Sequence, residues 1–284
     1  YPAHRRIVST GRSERYTRVE IVGIAARSLD AKRNLFRMIA DNVEALGVAA
    51  AKAGKVLQVL VDIDPGIRRT GVSSPEAAVA AARRIAGLSS MRYLGVQNYC
   101  GREQHIESYE KRREAMVGRT DYLKTVIHAL TEAGFAPGVI TGGGTGTHRI
   151  DADLGVFNEL QVGSYVFMDR QYNDCDLTGG GASPYETSLL IDARVVSANT
   201  AGMATVDAGF KAMATDGGPP TVLGGAPPGT PYHFMGDEHG LIVSQDTKFA
   251  IGDSVTLAAP HTSARPMWAS ARTRSFPCRM RSGS

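Results

Sequence analysis

Hydrophobic and polar positions order the middle of the chain into short apolar runs separated by longer amphipathic stretches. The segment "VLQVLVDI" (56–63) is a β-branched apolar run closed by the turn Asp64-Pro65-Gly66. A helix is predicted next: Ser73 or Ser74 can cap it, Pro75 and Glu76 suit its first turn, an Ala-rich body runs to Ile85, and Gly87 stops it. "MRYLGVQNY" (91–99) reads as a second strand. From about Glu103 to Ala133 a long helix is predicted, with Leu123, Val126, Ile127 and Leu130 on one face and Gly134 as its stop. "PGVI" is a further strand, a glycine-rich loop follows, and "ELQVGSYVFMD" (159–169) reads as a fourth. Strands beginning near 56, 91, 137 and 159, with helices between the first three, predict a parallel sheet with crossover helices. A TIM-like βα barrel fits this order best.

After about Tyr185 the pattern changes. "TSLLIDARVVSA", "MATVDAGF", "HGLIVSQ" and "KFAIGDSVTLAAP" are short alternating stretches separated by Gly, Pro and Asp, which is antiparallel β patterning. The Gly/Pro-rich "GGPPTVLGGAPPGTP" (217–231) reads as a long loop. The chain is therefore expected to be α/β, with a βα-barrel domain over 40–185 and an all-β domain over 186–262. The ends, 1–39 and 263–284, lack either periodicity.

Composition narrows the class. A 43% hydrophobic content in 284 residues is ample for a core. No apolar stretch approaches the roughly 20 residues of a membrane helix, and no clean apolar core follows the Arg-rich start, so a soluble, cytoplasmic protein without membrane contact is expected. Cys100, Cys175 and Cys278 are too scattered for a disulfide framework or a metal knuckle. The net charge of +4 is unevenly spread: residues 1–39 hold eight Arg and one Lys against three acids, and 263–284 add five Arg and no acid. No aromatic residues interleave with these Arg in the way that stacks bases, so nucleic acid is not an expected partner.

"TGGGTGTH" (141–148) puts four glycines in eight positions behind an apolar run. At the carboxyl end of a parallel strand such a loop exposes consecutive backbone N–H groups that can surround an anion, phosphate being the obvious one. It is neither a Walker loop nor a GxGxxG fingerprint. The alternative is a plain strand-to-helix turn.

Six blocks, "VDIDPGIRRTGV" (61–72), "GVQNYCGREQH" (95–105), "TGGGTGTH", "NELQVGSYVFMD" (158–169), "VDAGFKA" (206–212) and "GDEHG" (236–240), occur in the order and rough spacing of a known family. Over about residues 40–261 the chain resembles the D-threonine aldolase and D-serine dehydratase family, which includes 3-hydroxy-D-aspartate aldolases. These are pyridoxal 5'-phosphate enzymes with an alanine-racemase-type barrel and a C-terminal β domain. The resemblance implies that Gly142, Gly143, Gly144 and Thr145, with Gly163 and Ser164 at the neighbouring strand end, hold the cofactor phosphate. Arg69 would contact the phenolic-oxygen side of the pyridine ring. Gln97 would face the ring nitrogen, a neutral partner that tempers the electron sink. His105 would be the base that removes the β-hydroxyl proton, a role suited to an imidazole, and Tyr99 would belong to the same pocket. Asp169 and His239 lie in matched blocks without an assigned role.

The implied reaction cleaves the Cα–Cβ bond of a D-3-hydroxy amino acid, D-threonine or 3-hydroxy-D-aspartate, to glycine and an aldehyde. A divalent metal of the Mn, Mg or Zn class polarises the hydroxyl. The dehydratase alternative releases ammonia and a keto acid. A homodimer is expected.

Two stretches depart from the family pattern. The cofactor lysine lies in an N-terminal "HxKxHK"-like stretch, which has no counterpart here; Lys32, Lys52, Lys55, Lys111, Lys124 and Lys248 stand in other contexts, and Lys211, in "VDAGFKA", matches a different family lysine. The family's "HCD"-like metal triplet is here His261-Thr262-Ser263, which keeps the histidine alone. Both departures fall where the chain turns Arg-rich, and the ends are expected to be frame-shifted or truncated. The function classes left open are a lyase, a non-catalytic pyridoxal-phosphate binder and an inert fragment.

Overall fold

The computed structural model describes residues 43–261 and the backbone of Arg272–Ser275. The segment 1–39 and the rest of 263–284 lie outside the described residues. Two compact units are present: one runs up to Ile106 and again over Glu110–Gly163, the other comprises Glu107–Tyr109 and the chain from Ser164 onward.

In the first unit, α1 (Val43–Lys52), β1 (Leu57–Asp62), α2 (Pro75–Ala86), β2 (Met91–Asn98), α3 (Tyr109–Glu132), β3 (Val139–Gly142), α4 (His148–Leu154) and β4 (Glu159–Leu160) follow in order. The four strands form one wholly parallel sheet in sequential order, β1-β2-β3-β4. This is the βα architecture that the alternating pattern predicts. The α2 helix begins as its sequence requires: Ser74 Oγ accepts the Ala77 N–H at 3.2 Å, with Pro75 in the first turn. The core lies on the helix-facing side, where Val61, Ile63 and Val96 meet Ala78, Ala82 and Ile85 of α2 and Leu123, Val126 and Leu130 of α3. Each fully buried leucine or isoleucine there contributes about 1.5–3 kcal/mol relative to exposure.

One irregularity decides what the other face carries. The β1/β2 register slips by one residue between Val59↔Tyr93 and Leu60↔Gly95. Gly95 sits at φ +148, and a side chain there would overlap the Val139 backbone. Beyond the slip, Asp62 pairs with Gln97, Gln97 with Thr141, and Thr141 with Glu159. Because side chains alternate along a strand and the adjacent Val61, Val96 and Ile140 pack toward the helices, these four polar residues form a row across the opposite face.

Three expectations need correction. The helix expected from Glu103 is interrupted: a 3₁₀ turn at Glu103–His105 ends on extended Ile106 (φ −71, ψ 113), and α3 starts at Tyr109. The strand expected over 159–169 is only Glu159–Leu160; a 3₁₀ turn, Ser164–Val166, follows, and Asp169 then caps the short helix α5 (Arg170–Asn173) by accepting the Tyr172 N–H at 3.0 Å. Capping a helix is incompatible with continuing an extended strand through Asp169. The loop expected over 217–231 contains a strand, β7 (Thr221–Gly224), whose Val222 is wholly buried.

The second unit is antiparallel throughout. Its strands are β5 (Leu189–Ser197), β6 (Met203–Val206), β7, β8 (Tyr232–Phe234), β9 (Gly240–Val243), β10 (Ser254–Ala258) and β11 (Arg272–Ser275), ordered β7-β10-β5-β6-β9-β8 with β11 also paired to β5. Ile191, Ala193, Val195, Val206, Val222, Ile242, Val255 and Leu257 form its core.

Candidate functional site

The polar row lies near the carboxyl ends of the strands, where parallel βα sheets carry ligands, and the loops behind β1, β2 and β3 extend it. Asp64 shapes the first: its Oδ1 accepts the N–H groups of Gly66, Ile67 and Arg68 at 2.9, 2.9 and 3.0 Å. The Arg119 side chain fastens this loop by donating to the Pro65 carbonyl while its Nε donates to buried Glu103 at 2.9 Å. The loop carries Arg69, whose guanidinium carbon stands 5.4 Å from the Tyr99 ring centroid, a cation–π distance. Burial pushes the Tyr99 hydroxyl above its ordinary pKa, and the charge of Arg69 opposes that shift.

On β2, Gln97 Nε2 donates to Asp62 Oδ1 at 3.3 Å. Asp62 is 7% exposed and its Oδ2 has no hydrogen-bond partner. Burial raises the pKa of this carboxyl, while the Thr70 hydroxyl, the charge of Arg69 and the Gln97 amide hold it down. Buried Asn98 donates to the Ile63 carbonyl at 3.1 Å and ties the two strand ends together. His105 closes the 3₁₀ turn and is half-buried, next to buried Glu103 and Gln104.

The glycine loop is braced from within. Gln104 Oε1 accepts the Gly146 N–H at 3.0 Å, and Gln104 Nε2 donates to Thr147 Oγ1 at 2.9 Å and to the Cys100 carbonyl at 3.2 Å. Thr147 Oγ1 accepts the Gly144 N–H at 3.2 Å and donates to Asp151 Oδ2. The bare backbone thus has a first use inside the protein. A Cβ on Gly142 would overlap the Asn98 carbonyl and the Phe157 ring, one on Gly143 (φ +66) the Asp151 carboxylate, and one on Gly144 the Gln104 amide. Three of the loop's N–H donors, those of Gly144, Gly146 and Thr147, are spent on holding its shape. Asp151 is 1% exposed, and burial raises its carboxyl to about 6 against the Thr147 hydrogen bond.

Arg69, Gln97, Tyr99, His105, Gly142, Gly143, Gly144 and Thr145 accordingly stand at the carboxyl ends of three adjacent strands or in the loops that follow them. Gly163 is exposed beyond β4, with nothing near the position of a Cβ. Ser164 and His261 belong to the second unit, Ser164 opening its 3₁₀ turn and His261 following β10. Among the described residues no three His, Cys, Asp or Glu side chains gather into a metal site. Sequence reasoning missed Asp62, Gln104, Thr141, Thr147, Asp151 and Glu159. A signal existed for Asp62 and Gln104, which lie inside the "VDID" and "REQH" blocks, but strand register and contacts across about forty residues decide their roles.

Comparison with known proteins agrees with this architecture. The family description "Alanine racemase, N-terminal domain" matches residues 25–171, and "Putative serine dehydratase domain" matches residues 188–264. The chain belongs to the D-threonine aldolase and D-serine dehydratase-like family of alanine-racemase type. Within this family, a 3-hydroxy-D-aspartate aldolase of Paracoccus denitrificans (strain Pd 1222) is 35% identical over 224 residues, covering 78% of this chain and 57% of that protein. A D-threonine aldolase of Arthrobacter sp. is 37% identical over 205 residues, covering 72% of this chain and 52% of that protein. The crystal structure of the D-threonine aldolase from Filomicrobium marinum superposes with a TM-score of 0.74 at 29% identity, covering 86% of this chain and 66% of that one. The chain thus spans little more than half the length of these curated relatives.

Proposed function

We propose that the chain is a pyridoxal-phosphate-dependent lyase that cleaves a D-3-hydroxy amino acid, D-threonine or 3-hydroxy-D-aspartate, to glycine and an aldehyde. The observation that carries this reading is the convergence, at three adjacent strand ends, of Arg69 with Tyr99, Gln97 with Asp62, and a braced glycine loop. That donor set fits the group. Gly142, Gly143 and Thr145 would hold its phosphate through backbone N–H groups and a hydroxyl, Gly144 would shape the loop around it with its own N–H on Thr147, and Gly163 and Ser164 would be further phosphate contacts. Arg69 would face its phenolic oxygen and Gln97 its ring nitrogen. When bound, the group supplies a sink for the electron pair left on Cα as the bond to Cβ breaks.

The chain's own part is binding and proton transfer. Arg69, held on Tyr99, neutralises negative charge at one edge of the ring. His105 takes the β-hydroxyl proton, so that the C–O bond becomes a carbonyl as Cα–Cβ cleaves. A divalent cation of the Mn, Mg or Zn class is the expected partner of that hydroxyl, with His261 as its candidate ligand. The described residues around His261 do not form a ligand set, and no step here depends on the metal.

The test is to incubate the full chain with pyridoxal phosphate and D-threonine or D-3-hydroxyaspartate, with and without Mn2+ or a chelator, and to quantify products by mass spectrometry. Glycine and the matching aldehyde support the reading. Ammonia and a 2-keto acid replace it with the dehydratase alternative, and cofactor binding without either product leaves a non-catalytic binder. Sedimentation of the same sample checks the proposed homodimer.

A further inference from the structure

Asp62 has no part in the roles assigned above, yet it is a carboxylate almost wholly withdrawn from water at the edge of the proposed ligand site. Burying a carboxylate is costly unless its oxygens are paired; the Gln97 amide donates to Oδ1, and Oδ2 has no hydrogen-bond partner. The strand register places the two residues opposite one another on the face away from the helices, just beyond the slip at Gly95.

A glutamine amide has a donor end and an acceptor end, and it can present either to a ligand. An ionised carboxylate only accepts. Against Asp62, the amide forms a hydrogen bond with Nε2 inward, whereas with Oε1 inward two oxygens would face each other without a proton between them. The neighbour therefore fixes the orientation. With one Nε2 proton on Asp62, the acceptor Oε1 is the end turned away from that carboxylate and, in this reading, offered to a ligand.

We propose that Asp62 is a positioning residue that locks the Gln97 amide with its oxygen toward the ligand, so that the site selects a heteroaromatic ring whose nitrogen carries a proton. This rests on the assignment of Gln97 to the ring nitrogen and refines it. A glutamine in that place is expected to leave the nitrogen less protonated; a glutamine held by Asp62 favours N–H and thereby strengthens the electron sink. Burial raises the Asp62 carboxyl, and the Thr70 hydroxyl, the charge of Arg69 and the Gln97 amide itself work against that shift, toward the ionised form that the lock requires.

The test compares two probes on the full chain by calorimetric titration without substrate: pyridoxal phosphate, and its carbocyclic analogue in which the ring nitrogen is replaced by C–H. Both carry the same phosphate and aldehyde, but loss of the nitrogen also makes the phenol less acidic, so the contact at the nitrogen is read from the change in their ratio between wild type and variant. The wild type is expected to prefer pyridoxal phosphate by about tenfold, the worth of one charge-assisted hydrogen bond. In Asp62→Asn, whose amide can pair with either end of Gln97, the preference falls to within about threefold. It returns in Asp62→Asn/Gln97→Glu, where residue 97 again offers an oxygen to the ring.

Gln97→Leu loses the preference while still binding both probes through their phosphate, which keeps the test informative if Asp62→Asn does not fold. Equal binding of both probes by the wild type, or a full preference retained in Asp62→Asn or Gln97→Leu, overturns the inference and leaves the cofactor reading intact. Failure of the wild type to bind either probe overturns the cofactor reading and this inference together.

Discussion

The two units bury polar groups in opposite ways. In the antiparallel unit the core is apolar throughout, and its buried carboxylates serve local structure: Asp169 caps α5, and Asp192 pairs with Arg194 and accepts from Ser254 Oγ. In the parallel unit, buried Asp62, Gln104, Thr141, Thr147 and Asp151 cluster at the strand ends and hold loops that a ligand would meet. An apolar core is stable without further requirement. A buried polar cluster costs stability wherever a group lacks its partner, as Asp62 Oδ2 does, and that cost is a reason for proposing the ligand site in the parallel unit.

The largest expected effect tests the apolar side of this contrast. Leu257→Ala, at a wholly buried position of β10, should lower the stability of the antiparallel unit by about 3 kcal/mol, read as the urea midpoint, with pyridoxal-phosphate affinity unchanged in the folded protein. A loss of affinity at equal folding would break the contrast.

The glycine loop sharpens it. Gly142→Ala should cost about 2–3 kcal/mol, because its methyl group meets the Asn98 carbonyl and the Phe157 ring. Gly163→Ala, in open surroundings, should stay within about 0.5 kcal/mol. If Gly163→Ala nevertheless weakens cofactor binding in titration, the proposed phosphate contact at Gly163 is supported independently of stability.

Asp151 gives a pH signature. Its carboxyl is raised to about 6 in the folded state, so the folded protein keeps a proton that the unfolded chain loses near pH 4. Stability should therefore fall by about 2 kcal/mol as pH rises from 4 to 6, then level off, and Asp151→Asn should flatten that part of the profile. Urea titrations at half-unit pH intervals decide it; a wild type whose stability does not fall in this window contradicts the buried, protonated state.

The smallest effect is expected at Lys211. Its ion pairs with Asp237 and Glu238, at 3.2 and 2.9 Å, lie in solvent, and Lys211→Gln should leave the thermal midpoint within experimental error.

Much of the fold was legible because local signals agreed with it. The α2 helix begins with its Ser-Pro-Glu capping sequence, and β1, β2 and β5 coincide closely with apolar or alternating runs. Where the pattern misled, a tertiary demand had overridden local propensity. The apolar "SYVFM" reads as strand but forms a turn leading to the Asp169 cap, and β7 hides in a Gly/Pro-rich segment because Val222 is drawn into the core.

For the candidate site the division is sharper. Sequence alone determined the element order, the glycine loop behind β3, the family resemblance and the blocks holding Arg69, Gln97, Tyr99 and His105, since each depends on residues close in the chain. Only the tertiary structure decided which polar side chains share a face. Alternation counted from Tyr93 would send Gln97 toward the helices; the slip at Gly95 reverses that parity and sets it against Asp62. It also decided that the N–H donors of Gly144 and Gly146 turn inward, because their acceptors belong to residues brought together by folding: Gln104 lies 42 positions before Gly146, and Thr147 takes up its own place in that network only beside Gln104 and Asp151. Hydrogen bonds of such span leave no period in a sequence, and they exist only once the strands have found their register.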